Sequence, residues 1–205
     1  MRRFVLGRKK RGLENRLGSR IVTYADDLVI LCRYGRADEA LLRMREIMEK
    51  LKLGVNEDKT RICQLPEGEF DFLGYRFGRL YSPRTGGSYL GAKPSRKSVR
   101  RMIEKIHALT VRSGTGRDTT EVVKRLNRML HGWANYFQCG SVSMAYRTID
   151  AYSTMRLRRW LRKKHKVRRN GLLAYPPEYL YQTLGLICLP KRKRKRKRDV
   201  PWAKA

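Results

Sequence analysis

Arg20-Ile21-Val22-Thr23-Tyr24-Ala25-Asp26-Asp27-Leu28-Val29-Ile30-Leu31-Cys32 sets two apolar, β-branched runs on either side of a pair of adjacent carboxylates. Runs of this length and composition predict strands, and the short polar break between them predicts a hairpin turn. Its tip would present Asp26 and Asp27 at the end of a buried sheet. Mg2+ takes oxygen ligands, usually one or two carboxylates together with substrate phosphates. Two such ions can clamp the attacking and leaving oxygens of a phosphoryl transfer. A bound cation would also offset the repulsion between neighbouring acids. The plainer alternative is an acidic turn, because Asp is a favoured turn residue.

Outward from this hairpin, charge dominates. The 205 residues hold 49 Lys and Arg against 18 Asp and Glu, a formal net charge of +31. Residues 1–94 contribute +8, residues 95–190 contribute +15 and residues 191–205 contribute +8. A field of that sign and size attracts polyanions, nucleic acid foremost. A membrane surface is the weaker reading, because the basic helices also carry Trp, Tyr and Leu at core-like spacing. No apolar run is long enough to span a bilayer, and Met1 to Gly7 lacks a signal-peptide apolar region. No membrane partner and a cytoplasmic location are therefore expected. Cys32, Cys63, Cys139 and Cys188 are widely separated, and none forms a metal-ligand spacing with the three histidines. That pattern predicts free thiols in a reducing compartment and no zinc site.

Along the chain, residues 1–20 are basic with scattered apolar residues and look like the tail of something larger. Ala37, Ala40, Leu41, Met44, Ile47, Met48 and Leu51 predict an amphipathic helix from Arg36 to Lys52, stopped by Gly54. A turn over Leu53 to Lys59 would feed a short strand. Phe70 to Phe77 alternates as one strand, with Phe70, Phe72 and Gly74 on one side and Asp71, Leu73, Tyr75 and Phe77 on the other. A hairpin follows around Pro83 to Gly87. Ser95 would cap a helix from Arg96 to Thr110, and Asp118 to Glu121 reads as a capping box opening a helix that Gly140 stops. Ser141 or Ser143 would cap the next helix, densely basic from Arg156 to Arg169. Pro176-Pro177 would start a short last helix, ended by Gly185. The alternating Lys and Arg of residues 191–198 predict a disordered basic tail with salt-dependent polyanion affinity.

Several of these stretches share one family resemblance. Tyr24-Ala25-Asp26-Asp27 resembles the Tyr-Ala-Asp-Asp motif of reverse transcriptases in its group II intron form. Leu53-Gly54-Val55-Asn56-Glu57-Asp58-Lys59-Thr60 resembles the lysine turn that follows the catalytic hairpin, and Phe70-Asp71-Phe72-Leu73-Gly74-Tyr75 resembles the primer grip. Leu126-Asn127 with Gly132-Trp133 and Tyr136, and the later run Leu157 to His165, resemble the maturase-specific region. The motifs occur in the family's order, across nearly all of the chain.

The resemblance implies an α+β fold. Residues 1–94 would be the C-terminal part of a reverse-transcriptase palm, residues 95–190 an α-helical thumb or X domain, and residues 191–205 the basic tail. It implies RNA-directed DNA synthesis with Mg2+ on Asp26 and Asp27. Lys59 would protonate the pyrophosphate leaving group or simply neutralise charge. Phe72, Leu73, Gly74 and Tyr75 would position the primer end. Arg96, Lys97, Arg100, Arg101, Arg128, Arg156, Arg158, Arg159, Arg162, Lys163 and Lys164 would bind group II intron RNA, with Trp133 and Trp160 read as core. Partners would be intron RNA and an RNA template with a DNA primer. A C-terminal metal-dependent endonuclease is not expected, since residues 199–205 hold no Cys or His cluster. The family's fingers and a further palm aspartate lie upstream of the hairpin, and here Glu14 is the only acid before it. The expectation is an N-terminally incomplete polymerase that needs a separately encoded piece. The alternatives are a non-catalytic intron-RNA-binding maturase or a decayed fragment.

Overall fold

The computed structural model describes residues 17–168 and 170–190. The basic tail and residues 1–16 lie outside the described residues, as does Arg169. Strands β1 (Arg20–Tyr24) and β2 (Asp27–Leu31) form a two-stranded antiparallel sheet, and helix α1 (Ala37–Lys50) follows. Strands β3 (Phe70–Phe72), β4 (Tyr75–Tyr81) and β5 (Ser88–Pro94) make a second antiparallel sheet in that order. Helices α2 (Arg96–Leu109), α3 (Thr119–Tyr136) and α4 (Ser143–Lys164), then the short α5 (Gly171–Ala174) and a π-helical turn (Tyr179–Thr183), complete an α+β chain. No helix of the described residues is long and apolar enough to cross a membrane.

The packed core lies in the helical half. Ile106, Val122, Leu126, Leu130, Ile149, Leu157, Leu161, Leu180 and Leu189 are completely buried, and Trp160 joins them. Each such side chain contributes about 1.5–3 kcal/mol relative to exposure. The cores of α2, α3 and α4 follow from the i, i+3, i+4 apolar steps read in the sequence. Ser95 caps α2 by accepting from Ser98 N at 3.2 Å, and Asp118 caps α3 by accepting from Glu121 N at 3.0 Å. These backbone N–H bonds favour the charged form and hold the Asp118 carboxyl below its usual range.

Four expectations are corrected. The β1–β2 ribbon is not the end of a buried sheet: no further strand pairs with it among the described residues, and Val22 and Leu31 are exposed. No strand follows the Lys59 turn; residues 60–64 lack a partner ladder. Helix α1 stops before Gly54. Lys52 takes a φ of 53°, its N–H reaches Glu49 O at 2.9 Å, and Leu53 N reaches Met48 O at 2.9 Å. That is a Schellman ending built on a lysine in the left-handed region. Lys52→Gly is expected to raise stability by about 1 kcal/mol, seen as a higher unfolding midpoint. Finally, neither Ser141 nor Ser143 caps α4. Val142 occupies that position without a side-chain cap and is fully buried. Burial of Val142 in the core and the bond from Ser141 N to Ala92 O at 2.7 Å set this corner instead.

Candidate nucleic-acid interface

Phe70 to Phe77 is not one strand but two. Phe72 pairs with Tyr75, and Leu73 and Gly74 between them take φ values of 49° and 76°. Two positive-φ residues are what a tight primed hairpin loop requires. The fold-back stacks Phe70 on Phe77, with centroids 5.2 Å apart and planes 15° from parallel. Gly74 is required twice over: a Cβ there would lie 2.8 Å from Ser98 Oγ and 3.2 Å from Phe137 Cζ.

This turn is clasped by the helical half. Gly74 O accepts from Ser95 N at 2.8 Å and from Ser98 Oγ at 2.9 Å. Tyr136 Oη donates to Leu73 O at 2.8 Å, and Tyr75 Oη donates back to Tyr136 O at 2.9 Å. The Tyr75 ring sits 4.9 Å from Phe137, which sits 4.6 Å from Trp133. Burial pushes the Tyr75 phenol up to about 12, so it remains a neutral donor. Burial also raises Tyr136, with a further contribution from Tyr24.

Asp26 and Asp27 are exposed at the β1–β2 turn, where Ala25 has a φ of 51° and Asp27 pairs with Tyr24. Lys59 is exposed in a turn closed by its own N–H to Asn56 O and Oδ1, both at 3.2 Å. An ion pair between Arg45 and Glu57 at 2.5 Å ties that turn to α1. Lys59 lines an open cleft of about 470 Å3 with Asp58, Arg61, Glu69, Asp71 and Arg76. Arg76 spans the cleft wall, 2.7 Å from both Glu69 and Asp71. Among the described residues, no three His, Cys, Asp or Glu side chains group to hold a metal ion.

The eleven cations read as RNA-binding divide into two sets. Arg96, Lys97, Arg100, Arg101, Arg128, Arg159 and Lys163 are exposed, Arg100 beside Glu104 at 3.1 Å. The other four are half-buried and engaged internally. Arg156 donates to Thr110 Oγ1 at 3.0 Å and Thr110 O at 2.7 Å, closing the C-terminus of α2. Arg158 donates to Tyr175 O at 2.8 Å, and Arg162 reaches Arg168 O at 3.4 Å. Lys164 lies over Trp160 at 5.4 Å and donates to Arg117 O at 2.7 Å. The physical reason is that helix ends and turns leave carbonyls unpaired, and cations nearby satisfy them.

Residues 99–175 match the family model of the group II intron, maturase-specific domain. The helical half is therefore similar to a maturase-specific domain. No curated protein matches the chain. The maturase-specific match spans most of α2 and all of α3, α4 and α5, so it contains Arg100, Arg101, Arg128, Arg159 and Lys163. Asp26, Asp27, Lys59 and the Leu73-Gly74 turn lie outside it.

Two residues of the matched segment act in ways the sequence does not announce. Asn127 donates from Nδ2 to Gly185 O at 2.8 Å and accepts from Ile187 N at 2.9 Å, an amide matched to one backbone segment. Asp150 accepts from Leu189 N at 3.0 Å and from Tyr181 Oη at 2.6 Å. Burial and this carboxylate raise the Tyr181 phenol. Together they latch residues 179–189 onto α3 and α4. The available signals were Asn127, within the Leu126 to Tyr136 stretch already singled out, and Asp150, the single acid on the basic helix α4. Trp160 is core, as expected, and Trp133 is half-buried against Phe137 and Tyr146.

Proposed function

We propose that the chain is a group II intron maturase that binds folded intron RNA through its helical half and so assists splicing. The observation that supports this reading is that seven of the eleven cations read as RNA-binding are exposed on and beside the segment that matches a maturase-specific domain, while the other four are engaged with its own carbonyls. Exposed Lys and Arg neutralise phosphates and release counterions, while a rigid helical scaffold fixes their spacing.

The second reading is RNA-directed DNA synthesis, with residues 1–94 as part of a palm and residues 95–190 as the thumb. It is favoured by the clasp between α3 and the Leu73-Gly74 turn, which would hold a primer end from Phe72, Leu73, Gly74 and Tyr75. Asp26 and Asp27 supply hard oxygen donors that fit Mg2+, which when bound would neutralise charge on phosphate oxygens. Lys59 would counter charge on the departing pyrophosphate or protonate it. A two-metal centre calls for further carboxylates, which a separately encoded N-terminal reverse-transcriptase piece would bring along with the fingers. The substrates would then be an RNA template and a DNA primer.

Filter binding to folded group II intron RNA, against an unrelated structured RNA at moderate salt, tests the first reading. Preference for the intron is expected; equal retention of both, collapsing together as salt rises, would leave only non-specific basicity. Asp26→Ala is expected to leave intron binding unchanged while abolishing any polymerase activity complemented by the N-terminal piece.

A further inference from the structure

The β4–β5 hairpin ends in the tip Ser82 to Gly87, closed by Ser82 N to Gly87 O and Gly86 N to Ser82 O, both at 2.9 Å. Below the tip, Tyr81 is 65 % exposed, Leu90 57 % and Tyr89 45 %. The register sets Tyr81 opposite Ser88 and Arg79 opposite Leu90, so Arg79, Tyr81 and Leu90 share one face. Neither tyrosine stacks on another ring among the described residues, and a Cβ at Gly86 would meet nothing within 4 Å.

Along the sequence that carries these groups, the charge has one sign. From Phe72 to Ile103 the sequence holds eight Lys and Arg and no Asp or Glu. Arg76 and Arg79 reach back to carboxylates that precede this stretch, Asp71, Glu69 and Glu67. Arg84, at the tip, and Lys93 form no ion pair among the described residues. The acid-free stretch continues directly into exposed Arg96, Lys97, Arg100 and Arg101 of α2.

Exposed apolar groups beside a tip whose own cation, Arg84, has no ion-pair partner among the described residues narrow the occupant. An acidic protein surface would satisfy the cations but not the rings. A duplex keeps its bases stacked inside and offers phosphates alone. An unpaired strand offers both, because its bases are free to stack on aromatic faces while its backbone follows the cations. We propose that the β4–β5 hairpin tip is a binding site for an unpaired RNA strand, with bases on Tyr81 and Leu90 and the phosphate backbone at Arg84. This rests on the reading of the chain as an RNA-binding maturase, and adds which surface takes single-stranded rather than folded RNA.

The test uses the full chain with a short labelled RNA, presented once as a single strand and once as a duplex of the same sequence. Tyr81→Ala is expected to weaken single-strand binding by about fivefold or more, the scale of one base–aromatic stack. Tyr81→Phe keeps the ring and is expected to bind within about twofold of the parent, and duplex binding is expected to be unmoved by either change. The proposal is overturned if Tyr81→Ala binds the single strand like the parent, or if single strand and duplex weaken together. Competition with folded intron RNA separates the two ideas. Loss of intron preference with the Tyr81 effect intact removes the maturase reading and leaves the strand site standing.

Discussion

Gly140→Ala is expected to lower the stability of the chain by about 2–5 kcal/mol, read from urea or thermal unfolding. Two costs combine there. Gly140 has a φ of +74°, a region that costs a residue with a Cβ about 1–2 kcal/mol. A Cβ would also stand 2.0 Å from Ala92 O, and backbone cannot yield as a flexible side chain can. Relieving that clash means moving the α3–α4 corner off β5, at an overpacking cost of about 1–3 kcal/mol. The movement would also break the bond from Ser141 N to Ala92 O. Gly132→Ala is the control. Gly132 lies within α3 with open space around it and an ordinary helical φ, so alanine there should be neutral or stabilising by up to about 1 kcal/mol. Equal effects at the two glycines would mean that the corner does not bear on the sheet.

Replacing Arg96, Lys97, Arg100 and Arg101 together with Gln is expected to weaken intron RNA binding by about a hundredfold at moderate salt. The slope of log affinity against log salt should fall by about 3, because each phosphate that a cation neutralises adds roughly 0.7–0.9 to it. All four side chains are exposed on one end of α2, so stability should change little. Arg156→Gln makes the opposite expectation. Its guanidinium closes the α2 C-terminus on Thr110, so its removal should cost about 2 kcal/mol of stability while leaving the salt slope intact. A slope that fell equally with Arg156→Gln would place RNA at the α4 side of the domain as well.

The contrast between Arg101 and Arg156 marks how far the sequence could be read. Both are arginines on amphipathic basic helices, and spacing alone assigns both to a polar face. Arg156 is diverted because the last carbonyls of α2 pass beside it, which is a fact of how α2 and α4 pack. The Leu73-Gly74 turn escaped for a different reason. Leucine seldom takes a positive φ, so the alternating run Phe70 to Phe77 read as a single strand, and the clasp by Tyr136 and Tyr75 across more than sixty residues has no local trace.

What the sequence determined by itself was what short-range physics specifies. The 3.6-residue apolar stripes of α2, α3 and α4, the Ser95 and Asp118 caps, the β1–β2 and β4–β5 turns and the basic field all follow from residues within a few positions of one another. Packing between elements settled which cations face solvent, which polar residues latch residues 179–189, and that the Leu73-Gly74 turn seats on α3. Those outcomes depend on which backbone carbonyls and N–H groups remain unpaired once helices meet, and such groups must find partners wherever packing brings them.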